Sequence, residues 1–356
     1  MKDFCPKKMT RRSFLEKTVK LYFSIGLSST FLDYGQAEAS PITGPGFEPA
    51  YLKLHKTGEL KKRAEKLWAI MESCQLCPRR CRVNRHKGMS GVCRAPGTTL
   101  VISAFHPHFG EERPLVGKGG SGTIFLTHCN LRCVFCQNWE IAHLGRGSER
   151  TIDDFARMML ELQKIGCHNI NLVTPTHYSA HILKALDIAA ERGLRLPIVY
   201  NTSGWERLEI VKLLDGIVDI YLPDFKYWNS EMSAKYSYKA ESYPEITSKA
   251  ILEMHRQVGV AKLAKDGIMQ RGLMIRHLVM PNNTGGSENV MEWIAGNLPK
   301  DTYVNIMAQY NPHYKAYDYP KISRRITRKE YVAVVKKAKE LGLTNLDIRG
   351  YWWLKR

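Results

Sequence analysis

Short apolar runs alternate with amphipathic segments over most of the chain. Runs at 122–127, 169–173, 197–200, 217–222, 273–280 and 303–307 have the length and composition of strands. Between them, 152–165 behind the cap-like Thr151, 181–191, 206–214 and 287–295 repeat apolar residues at helical spacing. This alternation predicts an α/β fold, a parallel sheet with helices outside it. Six strands predict an incomplete (β/α)6 barrel, whose active groups should gather at the C-terminal ends of the strands. Upstream, 59–71 reads as a helix with Leu60, Ala64, Leu67, Trp68 and Met71 on one face and Lys61, Lys62 and Lys66 on the other. Downstream, basic residues from Arg324 to Lys329 lead into a helical run at 331–341 that should pack on the barrel. The closing aromatics Tyr351, Trp352 and Trp353 are expected to cap it or to cover its mouth.

The first predicted strand runs into Cys129-x3-Cys133-x2-Cys136. Three thiolates in one tight loop suit an iron-sulfur cluster, and a four-iron cluster held by three leaves one iron open for chemistry. A structural zinc held by the three cysteines and His128 is the alternative. The other strand ends are polar too: Thr174-Pro175-Thr176-His177, Asn201-Thr202-Ser203-Gly204 and Asp224-Phe225-Lys226. The fifth strand carries Arg276 and His277, and Gln309 to His313 follow the sixth. Any one of these is explained by ordinary turn chemistry. Their recurrence at one end of the sheet is what marks a site.

A second group, Cys74-x2-Cys77-x3-Cys81 with Cys93, supplies four thiolates, enough for a closed site holding zinc or a second 4Fe-4S cluster. Arg79, Arg80, Arg82 and Arg85 crowd it, where cations offset thiolate charge and offer a dock for an acidic partner. Seven of the nine cysteines fall in these two groups, which is metal-site usage; Cys5 and Cys167 remain without a role. The formal charge of +19 fits an acidic protein partner, nucleic acid or a solvated surface. The aromatic-basic interleaving of nucleic-acid modules is missing, so nucleic acid is not an expected partner.

The tracts 114–125 (PLVGKGGSGTIF), 169–178 (NINLVTPTHY), 218–227 (VDIYLPDFKY) and 276–281 (RHLVMP), together with the three-cysteine loop, resemble the radical S-adenosylmethionine (SAM) proteins similar to pyruvate formate-lyase activating enzyme. The similarity runs from about Gly58 to the C-terminus. It implies a partial (β/α)6 radical SAM barrel preceded by a small four-cysteine module. Cys129, Cys133 and Cys136 would hold a 4Fe-4S cluster, with Phe135 near the adenine and Thr202, Asp224 and Lys226 lining the SAM site. Activating enzymes usually place a Gly-Gly-Glu-like turn after the second strand. Here Thr174-Pro175-Thr176-His177 stands there, and the Thr176 hydroxyl is the expected substitute; Asn201 is a further expected contact.

The activity implied is reductive cleavage of SAM to a 5′-deoxyadenosyl radical for hydrogen abstraction, with a glycyl-radical protein or a small molecule as substrate. Flavodoxin or ferredoxin is the implied electron donor. Competing readings are an exported two-cluster electron-transfer protein and a nucleic-acid-binding metal module.

Residues 1–39 have the layout of an export leader. Lys2, Lys7, Lys8, Arg11 and Arg12 precede an apolar run at 19–32, and Ala37-Glu38-Ala39 offers a cleavage site. Thr10-Arg11-Arg12-Ser13-Phe14-Leu15 resembles the twin-arginine signal. Lys20 and several serines make the run too polar for a stable membrane span. The alternatives are a retained amphipathic helix and a cytoplasmic protein. The expected organisation is leader 1–39, linker, helix and four-cysteine module 40–115, and barrel with helical extension 116–356. If the leader is cut, cell fractionation should recover a chain beginning near Ser40 outside the cytoplasm; an intact Met1 inside it would overturn the leader.

Overall fold

The computed structural model describes residues 46–348. The leader, Cys5 and the closing aromatics lie outside them.

Eight strands line up in sequence order. β1 (Leu100–His108) is antiparallel to β2 (Ser121–Leu126). From β2 onward each neighbour is parallel: β3 (Ile170–Val173), β4 (Ile198–Thr202), β5 (Ile220–Pro223), β6 (Met269–Leu278), β7 (Tyr303–Met307) and the short β8 (Leu346–Asp347). A three-residue strand, Ser148–Arg150, pairs with β1, and the path ends there and at β8 without closing. β2 to β7 are the six predicted strands, and their open path is the incomplete barrel.

Two of the helices begin where side chains satisfy their first N–H groups. Thr151 and Asp154 form a reciprocal capping box at the start of α2 (Ile152–Ile165), and Gly166 ends it in the left-handed conformation. Phe155, Met158, Met159 and Leu162 recur on one side of α2, so that side is buried against the sheet. The remaining helices that matter here are α1 (Glu59–Ile70), α3 (Ser179–Glu191), α4 (Leu208–Leu213), α5 (Tyr243–Val258), α6 (Ser287–Asn297) and α7 (Arg328–Glu340). Thr327 and Glu330 cap α7 in the same reciprocal way. Among the described residues, no helix is long and apolar enough to cross a membrane.

Three elements depart from the sequence pattern. β1 interleaves histidines and a proline with apolar residues and is only partly buried, so its periodicity is blurred. α5 opens on Tyr243-Pro244 and is polar overall, but Ala250, Ile251, Met254 and Val258 form its buried stripe. α4 is also shorter than 206–214, because Glu206 turns inward ahead of it.

The segment from 46 to 99 packs on the barrel. The buried Asp219 carboxylate accepts the N–H groups of Ala50 at 2.9 Å and Ile198 at 3.1 Å. The buried Arg85 donates to the carbonyls of His177 at 2.6 Å and Pro96 at 2.5 Å. His181 on α3 meets the Gly97 carbonyl at 2.8 Å. These bonds fix the four-cysteine segment beside the C-terminal end of β3.

The turn after β4 depends on Gly204. Its φ is +81°, and an added Cβ would lie 2.1 Å from the Asp224 carbonyl oxygen. Gly204→Ala should therefore destabilise the protein by more than about 1 kcal/mol, measured by urea unfolding, since the change adds both strain and a backbone clash.

Candidate active site

The strand ends and the three-cysteine loop enclose a cavity of about 900 Å³. Cys129, Cys133 and Cys136 stand on its wall with Phe135. Asn201 and Thr202 reach it from the end of β4, and Asp224 and Lys226 from the turn after β5. Residues that lie far apart in sequence thus meet because parallel strands present the same end to one space.

The sulfurs are placed where ionisation needs help. Burial pushes the Cys133 thiol up to about 11, with Lys226 pulling the other way, and pushes Cys136 up to about 12 with its neighbours Cys133 and Cys129 adding to the rise. Donors are already aimed at two of the sulfurs. The Ser237 hydroxyl donates to Cys133 Sγ at 3.1 Å and the Leu131 N–H to Cys129 Sγ at 3.4 Å. Three sulfurs on a cavity wall, with N–H and O–H donors pointed at them and a lysine nearby, fit a 4Fe-4S cluster with one open iron.

His128 does not join them. It is absent from the cavity wall; its Nδ1 lies 2.7 Å from the Thr127 hydroxyl and its ring faces Gly145. Among the described residues, no three His, Cys, Asp or Glu side chains close around a single metal ion. With Zn–S distances of about 2.3 Å, a zinc site needs sulfurs within about 4 Å of one another.

Cys74, Cys77, Cys81 and Cys93 lie near enough to act on one another. Burial pushes Cys77 far up, and Cys93, Cys74 and Cys81 push it further. Cys93 is raised by burial, while the Arg85 charge and the Ala95 N–H oppose the rise. The Val92 N–H reaches Cys81 Sγ at 3.4 Å, and Gly91 is pressed so close that an added Cβ would sit 2.8 Å from that sulfur. The backbone is bent at both groups. Arg80, Arg82 and Arg94 beside the four-cysteine set, and His128 and Arg132 beside the three-cysteine set, have positive φ without being glycine.

An ion network forms the cavity floor. Arg276 on β6 donates to Asp224 Oδ1 at 2.7 Å and to Asn201 Oδ1 at 2.5 Å, while Lys226 pairs with Asp224 Oδ2. Burial pushes the Asp224 carboxyl up, but Arg276 and Lys226 outweigh it and hold it below the usual carboxylate range. Burial draws the Lys226 ammonium down, and Asp224 and Cys133 more than restore it.

Strand alternation sorts the neighbours. Arg276 points into the cavity, whereas His277 is buried behind it between the Phe225 carbonyl and the Ser287 hydroxyl. Gln309, Tyr310 and Asn311 line the cavity; His313 lies outside the lining, with Nε2 3.2 Å from Asn311 Nδ2.

Thr176 lies off the cavity wall, unlike the expectation for it. It is buried, and its hydroxyl donates to Glu206 Oε1 at 2.5 Å; Thr202 also donates to that oxygen. Thr174, in the left-handed conformation with φ +62°, takes the wall position in its place. A 3-10 turn at Thr176–Tyr178 causes the exchange by rotating the second threonine inward. Burial raises the Glu206 carboxyl to about 7 despite these two hydroxyls.

Sequence reasoning missed Glu111 and Glu112, which follow β1 and line the cavity. Glu111 faces Arg276 at 3.7 Å; burial pushes it up to about 7 against that cation. Glu112 Oε1 accepts from Asn305 Nδ2 at 2.8 Å, and its Oε2 is buried with no hydrogen-bond partner. The adjacent acidic pair in Gly110-Glu111-Glu112-Arg113 is the available signal, and it is hidden because β1 has no clean strand period.

A family model, the Radical SAM superfamily, matches residues 123–294. The chain is 37% identical over 291 residues to the uncharacterized protein MJ0674 of Methanocaldococcus jannaschii, a match covering 78% of this chain and 77% of that one. It is 25% identical over 278 residues to the uncharacterized protein MJ0808 of the same organism, covering 72% and 75%. Among solved structures, methylornithine synthase (PylB) aligns at a TM-score of 0.41 with 11% identity over 79% of this chain and 72% of that chain.

Removing the Asp224 charge should leave two partly buried cations, Arg276 and Lys226, without their nearest counter-ion. Asp224→Asn is expected to cost about 3–5 kcal/mol in urea unfolding at neutral pH. Because the folded carboxyl titrates below its usual value of 3.8, its stabilisation is complete above that value and is lost as pH falls through the folded pKa. The variant should lack that part of the wild type's acid-side loss; identical acid profiles would count against the network.

Proposed function

This chain belongs to the Radical SAM superfamily, and from that we propose an enzyme that couples SAM cleavage at Cys129, Cys133 and Cys136 to hydrogen abstraction from a substrate held in the same cavity. Cys129, Cys133 and Cys136 would hold a 4Fe-4S cluster, which when bound would supply the electron that splits SAM into methionine and a 5′-deoxyadenosyl radical. The observation that carries the reading is the shared wall: three sulfurs, Phe135, Asn201, Thr202, Asp224 and Lys226 face one space of about 900 Å³.

The residues of the chain have separable tasks. The Ser237 hydroxyl favours the ionised sulfur of Cys133, and the Leu131 N–H bonds to Cys129 Sγ. Arg276 fixes Asp224 and Asn201 together, so the polar side of the SAM site is set before ligand arrives. Phe135, packed near Tyr310 and Tyr227 at 5.7 and 6.3 Å between ring centres, offers an apolar surface for the adenine. Leu126, Leu278 and Met307 line the cavity and limit water around a radical.

Similarity in sequence to activating enzymes supports a glycyl-radical protein as substrate. The cavity favours a second reading, a small polar molecule. Glu111, Glu112, Arg276 and Arg325 bring four ionisable side chains to the cavity, more than a glycine-bearing loop would need. The four-cysteine group is proposed as a second metal centre, for zinc or 4Fe-4S, and a flavodoxin- or ferredoxin-like carrier as electron donor. Export through the leader belongs to the same proposal.

Anaerobically reconstituted and reduced with dithionite, the wild type should convert SAM to 5′-deoxyadenosine and methionine. Cys133→Ala should abolish this and lose about four irons per chain. Retained cleavage in that variant would refute the assignment of the cysteine loop. A glycyl radical by electron paramagnetic resonance (EPR) on a co-incubated protein would select the activase reading, and deuterium transfer from a metabolite into 5′-deoxyadenosine the small-molecule one.

A further inference from the structure

One side chain ties the two cysteine groups together. Arg79 sits in Cys77-Pro78-Arg79-Arg80-Cys81, yet its guanidinium bonds to the walls of the other centre. Nε donates to the Asn130 carbonyl at 2.9 Å, Nη2 to the Leu131 carbonyl at 3.5 Å and the Ser237 carbonyl at 3.2 Å, and Nη1 to the Lys239 carbonyl at 3.1 Å. Asn130 and Leu131 belong to the peptide joining Cys129 to Cys133, and Ser237 is the residue whose hydroxyl meets Cys133 Sγ. The rings of Trp205 and Tyr238 hold the cation at 4.6 and 5.4 Å. A single arginine therefore spans the distance between the centres.

We infer that Cys74, Cys77, Cys81 and Cys93 hold a second 4Fe-4S cluster that relays single electrons into the first. The inference rests on the reading of the first centre as the SAM-cleaving cluster. Four sulfurs form a closed set, with no open iron for SAM, so this centre is suited to electron transfer rather than substrate chemistry. Zinc has no redox chemistry and could not fill this role, whereas a 4Fe-4S cluster carries single electrons.

The way in is also visible. Cys74, Cys77 and Cys93 are buried, whereas Cys81 is half-buried and Arg80, Arg82, Lys87 and Arg94 around the group are exposed. That basic rim suits an acidic low-potential carrier of the flavodoxin or ferredoxin class. The carrier is oxidised by one electron, the second cluster takes it up and passes it to the first, and no bond or proton changes hands in the relay. Arg79 is a positioning residue, holding the cysteine loop of one centre at a fixed separation from the other.

The test uses the full chain reconstituted anaerobically with iron and sulfide. Cys133→Ala, which lacks a ligand of the first centre, should keep about four irons and show a dithionite-reducible 4Fe-4S EPR signal that SAM does not perturb. One zinc with no reducible iron in that variant would overturn the relay. In Cys81→Ala, the ratio of SAM cleavage driven by reduced flavodoxin to that driven by dithionite should fall tenfold or more; an unchanged ratio after loss of those irons would also overturn it.

If Cys81→Ala does not fold, rapid-freeze EPR of the wild type mixed with reduced flavodoxin decides the order. The second cluster should be reduced before the first, and the reverse order refutes the proposal. Failure of dithionite to drive SAM cleavage in loaded wild type would strike the first centre's assignment instead, since the Cys133→Ala signal is independent of it.

Discussion

Burial works against ionisation of Cys133 and Cys136 in one cysteine group and of Cys77 and Cys93 in the other, and the surrounding structure is arranged to offset that cost. Thiolate ligands must be held out of bulk water yet kept charged. The protein meets this with donors and cations from within and beyond the loops: Ser237 and Lys226 near Cys133, the Leu131 N–H of the same loop at Cys129, and Arg85 and the Ala95 N–H near Cys93. Arg85 can serve there only because its own charge is bonded to the carbonyls of His177 and Pro96. The four-cysteine segment and the end of β3 are consequently parts of one arrangement. A bound cluster would supply the positive charge that these groups begin to provide.

The same requirement explains the strained backbone. Arg80, Arg82, Arg94, His128 and Arg132 accept positive φ beside cysteines, where an ordinary loop would use glycine. Such conformations persist when neighbouring contacts over-determine them. Bends of this kind let N–H groups of the same loop turn toward sulfur, as at Cys129 and Cys81. Gly91 shows the opposite solution: a missing side chain admits Cys81 where any Cβ would collide with it.

The cavity floor applies the principle to oxygen and nitrogen. Asp224 is buried but stays acidic because Arg276 and Lys226 converge on it, and Arg276 extends the link to Asn201 and toward Glu111. Glu206 lies just behind this floor and lacks a cation among its hydrogen-bond partners, so burial prevails and its carboxyl is raised. Two carboxylates near one strand end thus have opposite acid-base behaviour. The difference lies in which partners the neighbouring strands supply.

The alternation of apolar runs was enough to specify a parallel α/β sheet with six central strands, and cysteine spacing was enough to bring out two close cysteine groups. Both are local properties, set by side-chain period and by how few residues separate the ligands. The strand ends were also legible, so the sequence alone places Asn201, Thr202, Asp224 and Lys226 near the cysteines. The threonine exchange was beyond that reach: Thr174 and Thr176 are chemically alike, and a single turn decides which faces the cavity and which is buried on Glu206. β1, with its acidic pair Glu111 and Glu112, escaped notice because a half-exposed strand carrying histidines and a proline has no clean period. The span of Arg79 from one cysteine group to the peptide of the other joins residues far apart in the chain. Long-range contacts of that kind leave no periodic trace in a single sequence, and only the folded backbone could decide them.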